Sequence, residues 1–360
     1  MQQGGILVLD IAQYTTDQIV AFGAGQRRHA GDTIRAAGYD RTLILTTPQQ
    51  SELGFELAEI LGPMAAGVFS QATMHTPADV TEEALTHLNA SGADSVLSVG
   101  GGSTIGLGKA LVLRSDVGHV AIPTTYAGSE CTPILGQTKN GVKTTMSEPK
   151  LRPGIVLYDT ELVTTLAAEM TITSALNAMA HAVEALYAKD RTETVTQLAL
   201  EGIAAFQRAL PAVLQDPKDL DARQTTQEGA WACGTVLGQV GMALHHKLCH
   251  TLGGSLNLPH AETHAIILPH ATAYNQSTAS AELAPVAELF GGQEPGQALW
   301  DFAKSLNAPM ALQDLGVAEH DLDRMADLAT QNPYWNPRVI TKDGIRALLG
   351  RAWEGSAPMA

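Results

Sequence analysis

Cysteine, charge and long apolar runs are all scarce in this sequence, and each shortage excludes a class of protein. No apolar run reaches the roughly 18 residues that span a bilayer. Residues Met1 to Gly5 lack the basic start and apolar core of a signal peptide, so we expect a cytoplasmic protein. The low cysteine count argues against a disulfide scaffold and fits a reducing compartment. The three cysteines are far apart, without a CxxC pair: Cys131, Cys233 and Cys249.

Basic residues are fewer than acidic residues in this sequence. The 22 Lys and Arg face 37 Asp and Glu, which gives a net charge of −15. This balance makes nucleic acid or an anionic membrane an unsuitable partner. An anionic small molecule stays possible where a local cluster of His, Lys or Arg reverses the field. Apolar residues make up 45% of the 360, a globular composition with enough length for two domains.

The first 160 residues alternate short β-branched runs with stretches of helical periodicity. The runs predict strands at 18–22, 42–46, 94–99 and 119–122. The stretches between them predict helices that include 79–88 and 104–114. Strands that alternate with helices form parallel sheets with right-handed crossovers, so we predict an α/β domain over residues 1–160.

From about Glu161 the pattern changes to one rich in Ala and Leu at helical spacing. We therefore predict an all-α second domain over residues 161–360. Its predicted helices include 173–187, 195–213, 225–243, 264–274 and 341–352.

A glycine turn, Gly100-Gly101-Gly102-Ser103, lies between a predicted strand and a predicted helix. In that arrangement the backbone approaches a phosphate closely and the helix N-terminus supplies N–H groups. The usual motifs do not fit: Ser103 and Ala110 break a Walker A pattern, and Ile105 breaks GxGxxG. The alternative is a tight turn that needs glycine for a positive φ.

A second polar turn, Pro123 to Ser129, also follows a predicted strand. The hydroxyls of Thr124, Thr125 and Ser129 could hold a diphosphate or a ribose, because ligands of parallel sheets gather at the carboxyl ends of the strands. Alone, this segment is an ordinary polar turn. Together with the glycine turn it favours a shared nucleotide site.

Histidines are concentrated in the predicted helical half. Asn177 and His181 share one helix face, and His246 and His250 have the same spacing of four, with His260 ten residues further on. Two interpretations stay open from the residues. The imidazoles bind a metal ion, or they act without metal as acids and anion partners.

Taken in order along nearly the whole chain, these motifs resemble the iron-containing alcohol dehydrogenase superfamily. The resemblance implies the dehydroquinate synthase-like fold, with an α/β nucleotide-binding domain and a helical domain, and NADH or NADPH as cofactor. In that family an Asp and three His hold the metal. The His positions fall on His181, His246 and His260, and the Asp position falls on Asn177.

Asn177 is a departure, because an amide oxygen is a poor substitute for a carboxylate at such an ion. Within the superfamily the chain is similar to the maleylacetate reductase branch, in residues 100–109, 123–133 and 332–338. That branch implies a site without metal. Gly106, where many metal-dependent relatives carry Asp, agrees with this expectation.

The resemblance to this branch implies an enzyme of aromatic-compound catabolism that reduces the C=C bond of maleylacetate, giving 3-oxoadipate. An imidazole, that of His246 or His250 in the cluster with His181, would stabilise the enolate and supply a proton. Arg338 would clamp a substrate carboxylate or, alternatively, fix the C-terminal segment. Tyr126 would point at the substrate or pack in the core.

The resemblance also bears on cofactor choice. Relatives strict for NADH tend to have an Asp after the second strand, where Thr46 and Thr47 stand here, so both NADH and NADPH are expected. Lys143 matches a family lysine near the nicotinamide ribose, and homodimers are common in the family. Two alternatives remain: a metal-dependent alcohol dehydrogenase that tolerates Asn177, and a nucleotide-binding relative without catalysis.

Overall fold

A six-stranded parallel sheet organises the first half of the chain. It is seen in a computed structural model that describes residues 14, 17–139, 142–292, 294–332 and 334–360. The strands within these residues are β1 (Ile19–Gly23), β2 (Thr42–Leu45), β3 (Ala65–Phe69), β4 (Ser95–Gly100), β5 (Gly118–Pro123), β6 (Ile134–Lys139), β7 (Val142–Ser147) and β8 (Ile155–Asp159). The large sheet has the order β1-β8-β5-β4-β2-β3, and β6 and β7 form a separate two-stranded sheet.

The central strands are buried along their whole length. All four residues of β2 and all six of β4 are inaccessible to solvent, as expected for a parallel sheet covered on both faces. The four predicted strands are confirmed within one residue at each end. The sequence analysis did not predict β3, whose Ala-Ala-Gly start has low strand propensity, nor β6, β7 and β8.

Four helices accompany the sheet. Both helices predicted in this region are confirmed, with α3 and α4 longer than expected. The four are α1 (Ala30–Ala36), α2 (Ser51–Leu61), α3 (Ala78–Ser91) and α4 (Gly102–Arg114).

From Thr160 onward the described residues contain helices and no strand, which confirms the predicted class of the second half. One predicted helix, 225–243, ends earlier, at Leu237, because the following segment carries Gly238 and Gly241, which lower helix propensity. The helices are α5 (Thr160–Val163), α6 (Ala168–Leu186), α7 (Glu193–Gln215), α8 (Leu220–Leu237), α9 (Leu244–Leu256), α10 (His260–Gln276), α11 (Ser280–Leu289), α12 (Pro295–Ser305), α13 (Leu322–Thr330) and α14 (Lys342–Glu354).

Contacts divide the chain into two compact units. The first contains the residues up to Pro123 together with Leu135–Asp159, and the second contains Thr124–Ile134 and the residues from Thr160. The predicted division at residue 160 is simpler, since it leaves Thr124–Ile134 in the first domain, and those limits stay a prediction. None of the helices in the described ranges is long and apolar enough to cross a membrane.

Each unit has its own apolar core. In the first unit, residues of β2, β3 and β4 pack with α3 and α4, around Leu45, Val96 and Leu111. In the second, α9, α10, α13 and α14 pack around Leu248, Ile267 and Leu349. The α9–α10 core matters for function, because these two helices carry most of the clustered histidines.

Candidate active site

The glycine turn has the geometry of a phosphate cradle. β4 ends at Gly100, Gly101 caps the next helix, and α4 begins at Gly102. Gly100 has φ +147°, and a Cβ there would lie 2.5 Å from the Thr104 Oγ1 atom, so any other residue would be strained at this position. A Cβ at Gly102 would meet no heavy atom of the described residues within 4 Å. Open space at a helix N-terminus suits a phosphate.

Polar atoms without partners lie beside this turn. Thr46 and Thr47 directly follow β2, the neighbour of β4, and so share the carboxyl edge of the sheet with the glycines. Thr46 is fully buried. Its Oγ1 atom, like that of Thr104 in the first turn of α4, has no hydrogen-bond partner among the described residues. Such hydroxyls are available to a ligand that enters at this edge.

The second polar turn continues from the same edge. β5 ends at Pro123, which is the register partner of Gly100, and Thr124 and Thr125 follow it directly. Ser129 begins a single 3₁₀ turn. Cofactor contacts of these residues stay predictions. The side chain of Lys143, the remaining predicted cofactor residue, lies outside the described part of the structure.

Gly106 has a packing explanation of its own. A Cβ at this position would lie 2.5 Å from the Thr76 Oγ1 atom, so a larger residue requires the neighbouring loop to move. The absence of Asp at position 106 is therefore explained without reference to metal binding.

Three helices of the second unit bring the predicted histidines together. α6 carries Asn177 and His181, which are 2% and 4% exposed, and α9 carries His246, which is 7% exposed. The ring centroids of His181 and His246 lie 5.1 Å apart. His250, on the exposed side of α9, stands edge-on to His246 at 6.2 Å. The i,i+4 spacing predicts the shared faces on α6 and α9, but not the contact between the two helices.

His260 is exposed at the start of α10, and its ring lies 4.2 Å from that of His264, which is buried. The Nδ1 atom of His264 is 2.9 Å from the Nε2 atom of His245, so these two imidazoles are hydrogen-bonded to each other. Both pairs extend the histidine cluster along α9 and α10.

Glu184, which the sequence analysis missed, is the buried carboxylate of this cluster. Its Oε2 atom accepts hydrogen bonds from the Ala243 backbone N–H at 2.9 Å and from His246 Nδ1 at 2.7 Å. Its Oε1 atom accepts the His245 backbone N–H at 2.7 Å. The sequence contains a pattern that could have identified Glu184. Asn177, His181 and Glu184 follow the i, i+4, i+7 spacing of residues on one helix face.

Three buried rings of the cluster resist protonation. Burial, reinforced by the neighbouring histidines, holds the pKa of His181, His245 and His264 well below the ordinary value. Several polar atoms face one another without a partner in the described residues. They are Asn177 Oδ1, His181 Nδ1, His245 Nδ1, His246 Nε2 and His264 Nε2.

The residues at the family's metal position do not fit a divalent ion well. Asn177 supplies no charge, and His181, His246 and His260 do not form a trio with all ligand atoms within 4.8 Å of one another. Within the described ranges, His245, Cys249 and His264 form such a trio. Burial raises the pKa of Cys249, so binding of an ion there would first have to displace the thiol proton.

Tyr126 is completely buried, and its hydroxyl accepts a hydrogen bond from Arg223 Nη1 at 3.0 Å. Arg223, itself 1% exposed, also donates to Thr171 Oγ1 at 3.0 Å. These contacts are those of the packing alternative, because the hydroxyl that would meet a substrate is already engaged inside the second unit.

Arg338 likewise has structural contacts. Its Nη1 atom donates to the Tyr274 carbonyl at 2.8 Å, and its guanidinium lies 4.2 Å from the centre of the Tyr274 ring. Asn336 ties the same segment to α10, because its amide and that of Asn275 exchange hydrogen bonds of 2.7 and 3.0 Å. The contacts favour the alternative in which Arg338 fixes the C-terminal segment, and a clamp role stays a prediction.

Comparison with known proteins defines the class. The iron-containing alcohol dehydrogenase family model matches residues 17–160, and the C-terminal model of the same family matches residues 171–353. The chain therefore belongs to the iron-containing alcohol dehydrogenase family. It is an NAD(P)H-dependent oxidoreductase. The fold and the family that the sequence predicted are both confirmed.

Several relatives of high identity within that family are maleylacetate reductases. The chain is 56% identical to a maleylacetate reductase of Rhizobium sp. strain MTP-10005, over 96% of this chain and 98% of that protein. It is 48% identical to a maleylacetate reductase of Burkholderia cepacia, over 94% and 96% of the two chains. The crystal structure of maleylacetate reductase from Agrobacterium tumefaciens superposes with a TM-score of 0.94 at 56% identity, covering 96% of this chain and 99% of that one.

Proposed function

We propose that this enzyme reduces the carbon–carbon double bond of maleylacetate to give 3-oxoadipate, a step of aromatic-compound catabolism. The observation that carries the proposal is the 56% identity to a maleylacetate reductase across 96% of the chain. The site agrees with a dianionic substrate. Its buried carboxylate, Glu184, is occupied by three N–H donors and so does not repel an anion strongly.

When bound, NADH or NADPH would supply the hydride, which would add to the alkene carbon that lies β to the ketone. The glycine turn at 100–103, with Thr46, Thr47, Thr124, Thr125 and Ser129, would hold the nucleotide. Addition of hydride turns the ketone into an enolate, and the negative charge on its oxygen requires a fixed donor. The reduction is completed when a proton adds to the other alkene carbon, which is bonded to the carbon that bears the enolate oxygen. The ketone is then restored.

The histidine cluster provides both functions in this proposal. Glu184 occupies the Nδ1 side of His246, so the Nε2 side is the one available to the substrate. An imidazolium with a carboxylate on one nitrogen donates a hydrogen bond from the other, as in the catalytic triad. His250, exposed to solvent and edge-on to His246, is positioned to exchange protons with water. Acid–base catalysis of this kind contributes roughly 10²–10⁴-fold.

We further propose that the reaction proceeds without metal. The family is defined by iron, so membership gives no support to this part of the proposal. Its support is the neutral Asn177 and the separation of the three imidazoles at the family's ligand positions. A metal-dependent dehydrogenase is the second candidate, favoured by the Glu184–His246 contact, since metal-binding histidines commonly donate their other N–H to a carboxylate.

We also propose that the enzyme accepts both nicotinamide cofactors and forms a homodimer. Thr46 and Thr47 carry no charge that would repel a 2′-phosphate, so both NADH and NADPH should serve. A cytoplasmic homodimer is proposed from the family resemblance. Light scattering on the purified enzyme measures the molar mass and decides between monomer and dimer.

The test follows NADH absorbance with maleylacetate on protein dialysed against EDTA, with metal content measured on the same sample. Rapid oxidation by metal-free protein is the expected result. Activity that returns only with iron or zinc, and that is faster with simple aldehydes, would establish the second candidate instead.

A further inference from the structure

Glu184 lies behind the histidine cluster, and nothing in the proposed reaction uses it directly. It is 1% exposed and sits on α6, two turns after Asn177. A buried carboxylate is costly unless its charge is compensated, and here the compensation comes from α9. The hydrogen bonds that Glu184 accepts from α9 indicate what this residue does.

The Glu184 carboxylate accepts hydrogen bonds from two backbone N–H groups at the start of α9. Its two oxygens accept the backbone N–H groups of Ala243, the residue that caps α9, and of His245 in the first turn, at 2.9 and 2.7 Å. A negative group at a helix N-terminus is favourable because it meets unpaired N–H groups and the positive end of the helix dipole. These bonds fix the backbone from which His246 projects.

The second contact fixes the ring itself. His246 Nδ1 lies 2.7 Å from Glu184 Oε2, so this nitrogen must carry the hydrogen, because a carboxylate oxygen only accepts. A ring turned by 180° would place a C–H against the carboxylate and lose a charge-assisted hydrogen bond. The other nitrogen, Nε2, is left without a partner among the described residues.

We propose that Glu184 is a positioning residue, which sets the tautomer and ring orientation of His246 so that Nε2 faces the reacting molecule. The proposal deepens the function proposed above and rests on the role given there to His246. It assigns to Glu184 no contact with substrate or cofactor.

Glu184→Gln is the main variant, because it keeps the shape and replaces one accepting oxygen with an N–H₂ group. Whichever way the amide turns, it opposes at least one of the three N–H donors. We expect kcat with maleylacetate to fall roughly 10²-fold, since loss of the orienting carboxylate behind the triad histidine costs up to about 10⁴. The KM for NADH should stay within about twofold, because only the transition state loses stabilisation.

A matched control separates orientation from simple loss of stability. Asp219 caps α8 and accepts the Ala222 backbone N–H at 3.0 Å, without contact to any histidine in the described structure. Asp219→Ala removes a helix cap of the same kind and should lower the melting temperature without changing kcat. If Glu184→Gln only lowers the melting temperature in the same way, the positioning role is wrong.

Two further measurements test the proposal, and the first of them does not depend on activity. In wild-type enzyme with ¹⁵N-labelled histidine, NMR should show His246 protonated at Nδ1, and a ring with its hydrogen on Nε2 alone would overturn the proposal. In the His246→Ala background, Glu184→Gln should cost no additional activity. An enzyme that fails to reduce maleylacetate would contradict the proposed function, whereas the NMR result would still test Glu184.

Discussion

Asn177 and Glu184 lie two turns apart on α6, and their side-chain oxygens have opposite situations. The Asn177 Oδ1 atom is buried without a partner in the described residues, whereas the Glu184 carboxylate accepts three hydrogen bonds from α9. The negative charge of the histidine cluster is therefore at position 184, on the side of His246 away from its unpartnered Nε2. Position 177 itself therefore contributes no negative charge to the cluster.

Asn177→Asp should convert the site into a metal site. The substitution returns a carboxylate to the position where the family carries its acidic ligand, one helical turn before His181 on α6. We expect the variant to retain about one zinc or iron ion per chain after incubation and desalting, and the wild type to retain far less. Metal content is measured by mass spectrometry, with Asn177→Ala as the control that removes the amide without adding charge. Equal metal retention by wild type and Asn177→Asp would contradict this prediction.

The two ends of the glycine turn should respond differently to an added methyl group. At Gly100, alanine meets Thr104 at 2.5 Å in a backbone region of positive φ, so a loss of stability of about 1–3 kcal/mol is expected. At Gly102, alanine has free space and extends a helix, so stability should be kept.

The functional effect at Gly102 should appear in cofactor binding. If a phosphate approaches the helix N-terminus, the methyl group of Gly102→Ala occupies its path, and the dissociation constant for NADH should rise about tenfold, or about 1.4 kcal/mol. Calorimetry on folded protein measures it. An unchanged affinity would place the diphosphate elsewhere.

Tyr126→Phe should affect stability more than catalysis. The hydroxyl accepts a hydrogen bond from the buried Arg223 guanidinium, and its removal leaves one N–H of this cation unpaired, at a cost of about 1–3 kcal/mol. We expect kcat to stay within about twofold. Thr171→Ala removes another acceptor of Arg223 and is the matched control. A tenfold loss of kcat at unchanged stability would restore the catalytic interpretation of Tyr126.

Local patterns carried most of the fold and half of the site. The strand, glycine and helix order predicted the turn between β4 and α4, because each feature depends on neighbouring residues. The i,i+4 pairs at 177/181 and 246/250 predicted faces of single helices for the same reason. The family resemblance then linked the two pairs, which periodicity alone does not do.

The remainder depended on contacts between distant residues. Glu184 and the α9 N-terminus are about sixty positions apart, and no local signal shows that an acid on α6 will meet two backbone N–H groups there. Tyr126 and Arg223 are 97 positions apart, so the occupied hydroxyl of Tyr126 could not be foreseen. Polar side chains have several possible partners, and only the packed helices select one.

Buried neutral histidines should make the folded state sensitive to acid. Burial lowers the pKa of His119 to about 3 and that of His270 to about 4, whereas an exposed histidine in the unfolded chain has a pKa near 6.5. The unfolded chain therefore binds protons first. The contribution of these residues to stability is complete above about pH 6.5 and is lost progressively as the pH falls toward the folded-state values.

At pH 5 each of these two histidines should lower the free energy of unfolding by about 2 kcal/mol relative to pH 7. Urea unfolding at the two pH values measures the sum, to which other groups also contribute. His119→Gln isolates one contribution, because the variant lacks that proton site while all other groups are kept. The decrease between pH 7 and pH 5 should be about 2 kcal/mol smaller in the variant than in the wild type. An equal decrease in both proteins would mean that His119 is protonated in the folded state at pH 5, with its hydrogen bond to Ser98 rearranged.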